Sequence, residues 1–293
     1  MKILVTGGAG FIGTNLIKRL VSEGHEVISL DDYHTGNTDN HIEGCKYVDA
    51  DIETIEYING ETIKSLNPKG GYDLCFHLAA ISRVQPSFDD PTETFRVNVE
   101  GTRAVCEWAR LNNVKVVYAG SSSKHHDPSD SPYAMFKYLG EGVCKVYKKS
   151  YDLDIEICRF YNAYGPYENL DLKDGNVIGI WREQVKNELP ITIVGDGEQR
   201  RDFIHVDDIV DGLIRVSQSQ KKHDDAWELG LGKNYSINEL FQFFKEKYPK
   251  IESKNIPDQK GNYRETLNTN PDAERYLGWK PKDKLRDYIL SLN

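Results

Sequence analysis

Tyr133 and Lys137 stand four residues apart, directly after a Ser131-Pro132 step, and Ser121 lies twelve residues before the tyrosine. Residues at i and i+4 share one face of a helix. Ser before Pro is a helix-start signal, which puts Tyr133 in the first turn. A phenol, an ammonium and a hydroxyl gathered in this way suit the oxidation of a secondary alcohol. That reaction needs a base for the hydroxyl proton and an acceptor for the hydride. A free tyrosine, with a pKa near ~10, is a weak base at pH 7. A neighbouring ammonium and a positively charged hydride acceptor would stabilise tyrosinate, and Ser121 can hydrogen-bond the same substrate oxygen. Alone, Tyr-x-x-x-Lys is common as a surface pair on helices, so the acceptor and the cleft must be sought elsewhere in the chain.

The acceptor's binding loop is legible at the start. A strand pattern over 2–6 runs into Thr6-Gly7-Gly8-Ala9-Gly10-Phe11-Ile12-Gly13, and a helix pattern follows. Glycines at 7, 10 and 13 permit a tight turn and close approach of backbone to a pyrophosphate, which then meets a helix N-terminus. The second strand pattern ends at Leu30 with Asp31-Asp32. That is the offset expected of the carboxylate that binds the adenosine ribose. A carboxylate there repels a 2′-phosphate, so NAD is favoured over NADP. Asp51 follows the third strand and is within reach of the adenine amino group, although a solvated turn residue is an equally good account of it.

These motifs need a frame. Strand patterns at 2–6, 26–30, 45–49, 73–78, 114–119 and 154–159 alternate with helix patterns, chiefly at 11–23, 92–112 and 132–151. This alternation predicts an α/β fold, a doubly wound parallel sheet of the Rossmann type, covered by helices on both faces. We expect a dinucleotide-binding domain over 1–165, with 201–219 returning to it. A smaller substrate lobe is expected from 166–200 and 220–293, with helices near 176–188 and 236–247.

Composition narrows the class. The 293 residues are 39% hydrophobic and 28% charged, with a net charge of −9, which supports a packed core and speaks against nucleic acid as a partner. The five cysteines are scattered, with no CxxC pair, as expected of buried thiols in a reducing cytoplasm. No signal-peptide pattern follows Met1, and no apolar run approaches membrane-spanning length. A soluble, cytoplasmic protein is expected.

In order along the chain, these motifs resemble the extended short-chain dehydrogenase/reductase family, in its NAD-dependent epimerase/dehydratase branch. To those above are added His77-Leu78-Ala79-Ala80, Asn98-Val99-Glu100-Gly101-Thr102 and Ser131-Pro132-Tyr133-Ala134-Met135-Phe136-Lys137. Further on come Arg159-Phe160-Tyr161-Asn162-Ala163-Tyr164-Gly165-Pro166 and Gly195-Asp196-Gly197-Glu198-Gln199-Arg200-Arg201-Asp202-Phe203. The resemblance implies NAD held by Gly7, Gly10, Phe11, Ile12, Gly13, Asp31, Asp32, Asp51, Ile52, Leu78, Ala79, Ala80, Asn98, Tyr133, Lys137 and Tyr161. It implies a nucleotide-sugar, UDP-linked in many members, contacted by Ser122, Ser123, Asn162, Asn176, Val177, Arg201 and Arg264, with catalysis by Ser121, Tyr133 and Lys137. The implied activity is 4-epimerisation through a transient 4-keto sugar. A dehydratase, a decarboxylase or a keto-sugar reductase is the alternative, and a non-enzymatic NAD sensor is a third reading, against which the intact Tyr133/Lys137 pair argues. The resemblance also implies a homodimer through the helices of 92–112 and 132–151.

The chain departs from the family pattern in places. Where 4,6-dehydratases carry Asp-Glu after the catalytic hydroxyl, this chain has Ser122-Ser123, which are neither acid nor base at pH 7. The segment from Ser121 to Tyr133 is short and contains Lys124-His125-His126, read as a polar loop and not a metal site. The late Arg-x-Gly-Asp loop reads Gln259-Lys260-Gly261-Asn262, with Arg264 as a candidate replacement, and Thr266 stands where some members have an aromatic gate.

Overall fold

The structure, a computed structural model, describes residues 1–57 and 71–292. β1 (Lys2–Thr6) leads through the glycine loop to α1 (Phe11–Ser22), β2 (Glu26–Asp31) and β3 (Cys45–Asp49). β4 (Leu74–His77), α2 (Val84–Asp89), α3 (Pro91–Phe95), α4 (Thr102–Asn112) and β5 (Lys115–Ser121) follow. Then come α5 (Pro132–Tyr151), β6 (Ile155–Phe160), β7 (Asn162–Tyr164), α6 (Val177–Lys186), β8 (Ile191–Val194) and β9 (Arg200–His205). The remainder is α7 (Val206–Gln218), β10 (Trp227–Leu229), β11 (Asn234–Ser236), α8 (Ile237–Lys247), β12 (Ser253–Ile256), α9 (Asp272–Leu277) and α10 (Leu285–Ser291).

Seven strands pair in parallel in the order β10-β6-β5-β4-β1-β2-β3. The order reverses between β1 and β4, so the crevice at the carboxyl ends of those strands is the ligand cleft of a doubly wound Rossmann-like sheet. One face buries Val105, Ala109 and Cys144 of α4 and α5 against the sheet. The other buries Leu16, Ile17, Leu20, Ile209 and Leu213 of α1 and α7. A third cluster, with Trp181, Phe203, Phe241 and Phe244, forms the smaller lobe around the sheets β11-β9-β7 and β12-β8.

Two placements are finer than the sequence indicated. Asn162–Tyr164, expected in the first domain, pairs with β9 in a lobe sheet, while Trp227–Leu229, expected in the lobe, closes the edge of the large sheet beside β6. The chain therefore crosses between the two bodies at the cleft itself. The helix expected over 92–112 is interrupted: residues Arg96–Gly101 form a π turn between α3 and α4. A π turn inserts a residue into the helical ladder and commonly marks functional sites. Here it carries Asn98, whose side chain clamps both Ile81 N–H and Ile81 C=O at 2.9 Å.

A buried ion cluster ties β6, β10 and α5 together behind the cleft. Arg159 reaches Glu141 at 2.8 Å and Glu228 at 2.9 Å, and all three side chains are nearly fully buried. Strand register puts Arg159 opposite Glu228. Removing one member of such a cluster strands desolvated charge, which typically costs about 3–5 kcal/mol. Arg159→Met is therefore expected to lower unfolding stability by about that amount in urea denaturation, and a loss below about 1 kcal/mol would contradict the role.

Candidate active site

β5 ends at Ser121, and the sequence after it forms a short 3-10 turn over Ser122–His125. Ser121 Oγ accepts from Ser123 N–H at 3.2 Å and lies 3.0 Å from the Ser123 hydroxyl. α5 begins where expected, because the Ser131 hydroxyl caps it by accepting from Ala134 N–H at 3.1 Å and Pro132 stands at its first position. The cap aims Tyr133 back at the strand end. Its phenol donates to Ser121 Oγ at 3.2 Å. Its own N–H donates to Ser87 Oγ on α2 at 3.1 Å. One turn on, Lys137 is buried and its ammonium donates to the Ala119 carbonyl at 3.0 Å.

The electrostatics of the pair differ from the simple expectation. Burial pushes the Tyr133 phenol up, against the Ser121 hydrogen bond and the positive charge of Arg83, which pull it down. Burial also pulls Lys137 down to about 8, with Glu141 acting the other way. The phenol is thus not acidified by its protein surroundings, because desolvation outweighs the Ser121 hydrogen bond and the Arg83 charge.

The cleft at the β1–β4 switch point is shaped for a dinucleotide. A Cβ on Gly7 would sit 2.7 Å from Ala79 N, and one on Gly13 would sit 2.1 Å from Gly7 O, so both positions must be glycine for loop, helix and β4 end to pack. α1 has no side-chain cap at Gly10, which leaves the amides of Phe11, Ile12 and Gly13 as donors for an anion. Asp31 accepts from Ala9 N–H at 2.8 Å and Tyr33 N–H at 2.9 Å, fixing its carboxylate at the end of β2 with acceptor capacity left for ribose hydroxyls. Asp32 is exposed and accepts from His34 N–H. Leu78 and Ala79 are fastened to Thr6 through their N–H groups and line the loop with Ala80. These residues fit NAD.

Other expected site residues are placed differently. Asp51 is held by Arg96 at 2.7 Å, and Ile52 is buried against Gly101. The Tyr161 phenol turns away from the cleft to Glu228 at 3.1 Å, because alternate side chains at this strand end face the buried ion cluster. Asn162 donates to the Asp202 carbonyl at 3.2 Å and to Thr266 Oγ1 at 3.0 Å, so Thr266 fastens strand ends together and is not a gate. Asn176 caps α6, accepting from Gly179 N–H at 2.6 Å, and leaves the amide of Val177 at the helix start. Arg201 is half-buried with no carboxylate partner among the described residues and donates to Arg200 O and Asn262 Oδ1. Asp202 does not pair with it, since that carboxylate accepts from Leu231, Gly232 and Asn268 amides. Arg264 does not join the site: it is exposed and bound to Asp196 at 2.9 and 3.0 Å. Its carbonyl accepts from Arg200 N–H, and its side chain stays at the surface.

The turn after Ser121 is held by two imidazoles with separate partners. His125 meets Glu228 at 2.9 Å, and His126 stacks on Tyr263 with ring centroids 3.8 Å apart. Among the described residues no His/Cys/Asp/Glu group is arranged to hold a metal ion. Two contributors escaped the sequence reading, Ser87 and Arg83. Both lie in the α2 segment right after His77-Leu78-Ala79-Ala80, and a lone arginine there was the available signal.

The family model described as the NAD dependent epimerase/dehydratase family matches residues 3–230. A putative UDP-glucose 4-epimerase of Methanocaldococcus jannaschii is 33% identical, over 98% of this chain and 95% of its own length. A UDP-glucose 4-epimerase of Thermotoga maritima, solved with UDP-glucose, superposes with a TM-score of 0.89 at 28% identity, covering 99% of this chain and 96% of the other. A UDP-glucuronic acid 4-epimerase of Bacillus cereus, solved with UDP-glucuronic acid and NAD, has a TM-score of 0.87 at 26% identity, covering 99% and 96%.

The Lys137 geometry carries a pH signature. Its folded pKa of about 8 lies below the ordinary 10.5. Between those values the unfolded state binds the extra proton, so stability from this group rises with pH across the window. Thermal melts of the cofactor-free protein and Lys137→Met should therefore show the wild type gaining on the variant from pH 8 to pH 10. A constant difference would mean that the ammonium is not desolvated.

Proposed function

The chain belongs to the NAD-dependent epimerase/dehydratase family, and from that premise we propose that it is an NAD-dependent nucleotide-sugar 4-epimerase, an isomerase acting on a UDP-linked sugar. The observation that carries this is the Tyr133–Ser121 hydrogen bond at the carboxyl end of β5, one turn from buried Lys137 and beside a serine turn. Bound NAD supplies the hydride acceptor and donor at the sugar carbon and a positive ring beside the phenol. Tyr133 Oη takes the proton of the C4 hydroxyl and returns it to the same oxygen after the 4-keto sugar has turned over. Ser121 holds that oxygen in line. The Ser121 hydrogen bond and the charge of Arg83 oppose the burial penalty on tyrosinate. Ser122 and Ser123 offer no acid–base pair for removing water, which favours epimerisation over 4,6-dehydration. Arg201, a half-buried cation with no carboxylate of its own, suits the substrate diphosphate.

Tyr133→Phe should lower turnover of UDP-hexoses by at least about a thousandfold while co-purified NAD remains bound. NMR of the sugar products reads the first and absorbance of the released cofactor the second. Turnover within tenfold of wild type would remove Tyr133 as the base.

A homodimer and a cytoplasmic location complete the reading. α5 leaves Tyr138, Leu139 and Val146 exposed, α4 leaves Leu111, and Gly142 between Leu139 and Val146 has open space above it. An apolar stripe with a small residue at its centre suits close helix packing between two copies. All five cysteines are free thiols, as a reducing compartment requires. Light scattering of Val146→Glu should show a shift toward monomer; an unchanged mass would place the interface elsewhere.

A further inference from the structure

Thirteen arginines occur in the chain. Among the described residues nearly all have a carboxylate within 4 Å, for example Arg96 with Asp51 and Arg182 with Glu168. The half-buried exceptions are Arg201 and Arg83. Their charged surroundings share no member: Asp258 and Tyr263 flank Arg201, whereas Tyr133, Glu168 and Asp174 flank Arg83. Of the two, Arg83 is the one whose charge acts on the Tyr133 phenol.

The backbone explains that position. Arg83 stands at the residue before α2 without a side-chain capping bond, and four residues later Ser87 accepts the Tyr133 N–H, so α2 and the first turn of α5 form one unit. From there Arg83 spans to the smaller lobe, where its Nε donates to the Asp174 carbonyl at 3.1 Å, just before the start of α6. That bond fixes the plane of the guanidinium, and no bond among the described residues uses its two Nη groups. A sugar lying between Tyr133 and the start of α6 passes this fork. A neutral sugar hydroxyl would give the two Nη groups no charged hydrogen-bond partner, since the nearby Glu168 and Asp174 carboxylates act on the guanidinium only through space. A carboxylate matches both the charge and the two parallel donors.

We propose that Arg83 determines specificity for the sugar and receives a carboxylate on the ring, so that the preferred substrate is a nucleotide-linked uronic acid. This rests on the nucleotide-sugar reading above and adds the sugar class to it. Arg201 holds the diphosphate, and Arg83 holds the acidic end. Glu168 does not compete, because it is committed to Arg182 at 2.7 Å and to Asn176 and Tyr288 at 3.1 Å.

The test compares UDP-glucuronate with UDP-glucose on the NAD-loaded wild type and on Arg83→Gln and Arg83→Lys. Calorimetric Kd and, where turnover occurs, KM and kcat are measured. Wild type should bind the uronate at least tenfold more tightly than the hexose. Arg83→Gln should erase that preference, and Arg83→Lys should restore part of it. Equal weakening of both ligands in Arg83→Gln would assign the residue to the diphosphate and overturn the proposal. Tighter binding of the hexose by wild type would also overturn it. Retained NAD and an unchanged melting temperature identify a folded variant, and if Gln unfolds the chain, the Lys variant and the wild-type ratio still decide. A wild type that binds the uronate selectively but epimerises neither sugar would refute the epimerase reading while leaving the Arg83 proposal standing.

Discussion

The hydrogen bond between Tyr133 and Ser121 is the constraint around which the site is built. It joins the last residue of a central strand to the first turn of the helix that follows. Ser121 is buried and Tyr133 half-buried, and a buried hydroxyl without a partner is destabilising, so the bond fixes both. Lys137 is one turn further along the same face, and its ammonium is tethered to the carbonyl of Ala119 on the same strand. Strand, helix and the three functional groups thus form one rigid piece. A proton can move to and from the phenol without any backbone rearrangement, which is what reversible redox chemistry at one carbon requires.

Keeping an ammonium and a phenol in a dry site has a cost, visible in the opposite directions in which burial drives them. The cluster of Arg159 with Glu141 and Glu228 is connected to this. Glu141 lies one turn beyond Lys137 and faces Arg159, so the negative charge nearest the ammonium is itself neutralised. Glu228 in turn meets His125 of the serine turn and the Tyr161 phenol. One buried cluster therefore positions the helix that carries Lys137, the turn that carries Ser122 and Ser123, and the strand end that leads into the lobe. The short connection from Ser121 to Tyr133 has few residues with which to hold itself; the His125–Glu228 and His126–Tyr263 contacts supply the anchoring from outside.

The cleft also shows how a family scaffold is altered without altering the chemistry. The Tyr133–Ser121–Lys137 piece and the glycine loop have the arrangement expected from the sequence, while the cations around the cleft do not. Arg264 is turned to Asp196 on the surface, and Arg83 projects from a segment that the sequence patterns did not mark. Binding specificity depends on such second-order choices, because the fold dictates the reacting groups and leaves the walls free to vary.

The sequence by itself determined the parallel sheet, the glycine turn, the carboxylate at the end of β2 and the Tyr133/Lys137 face. Each of these follows from local rules: continuous apolar runs make doubly buried strands, only glycine fits against Ala79 and Gly7, and helical spacing aligns residues four apart. The tertiary structure alone decided whether a polar side chain is free or already engaged. Asn176 is consumed as a helix cap, the Tyr161 phenol by Glu228, Asp51 by Arg96, and Arg264 by Asp196, whereas Arg83 and Arg201 are left without carboxylates. The partners of such a group lie tens of residues away and are set by strand order and lobe packing. No periodicity or motif around the group itself encodes them.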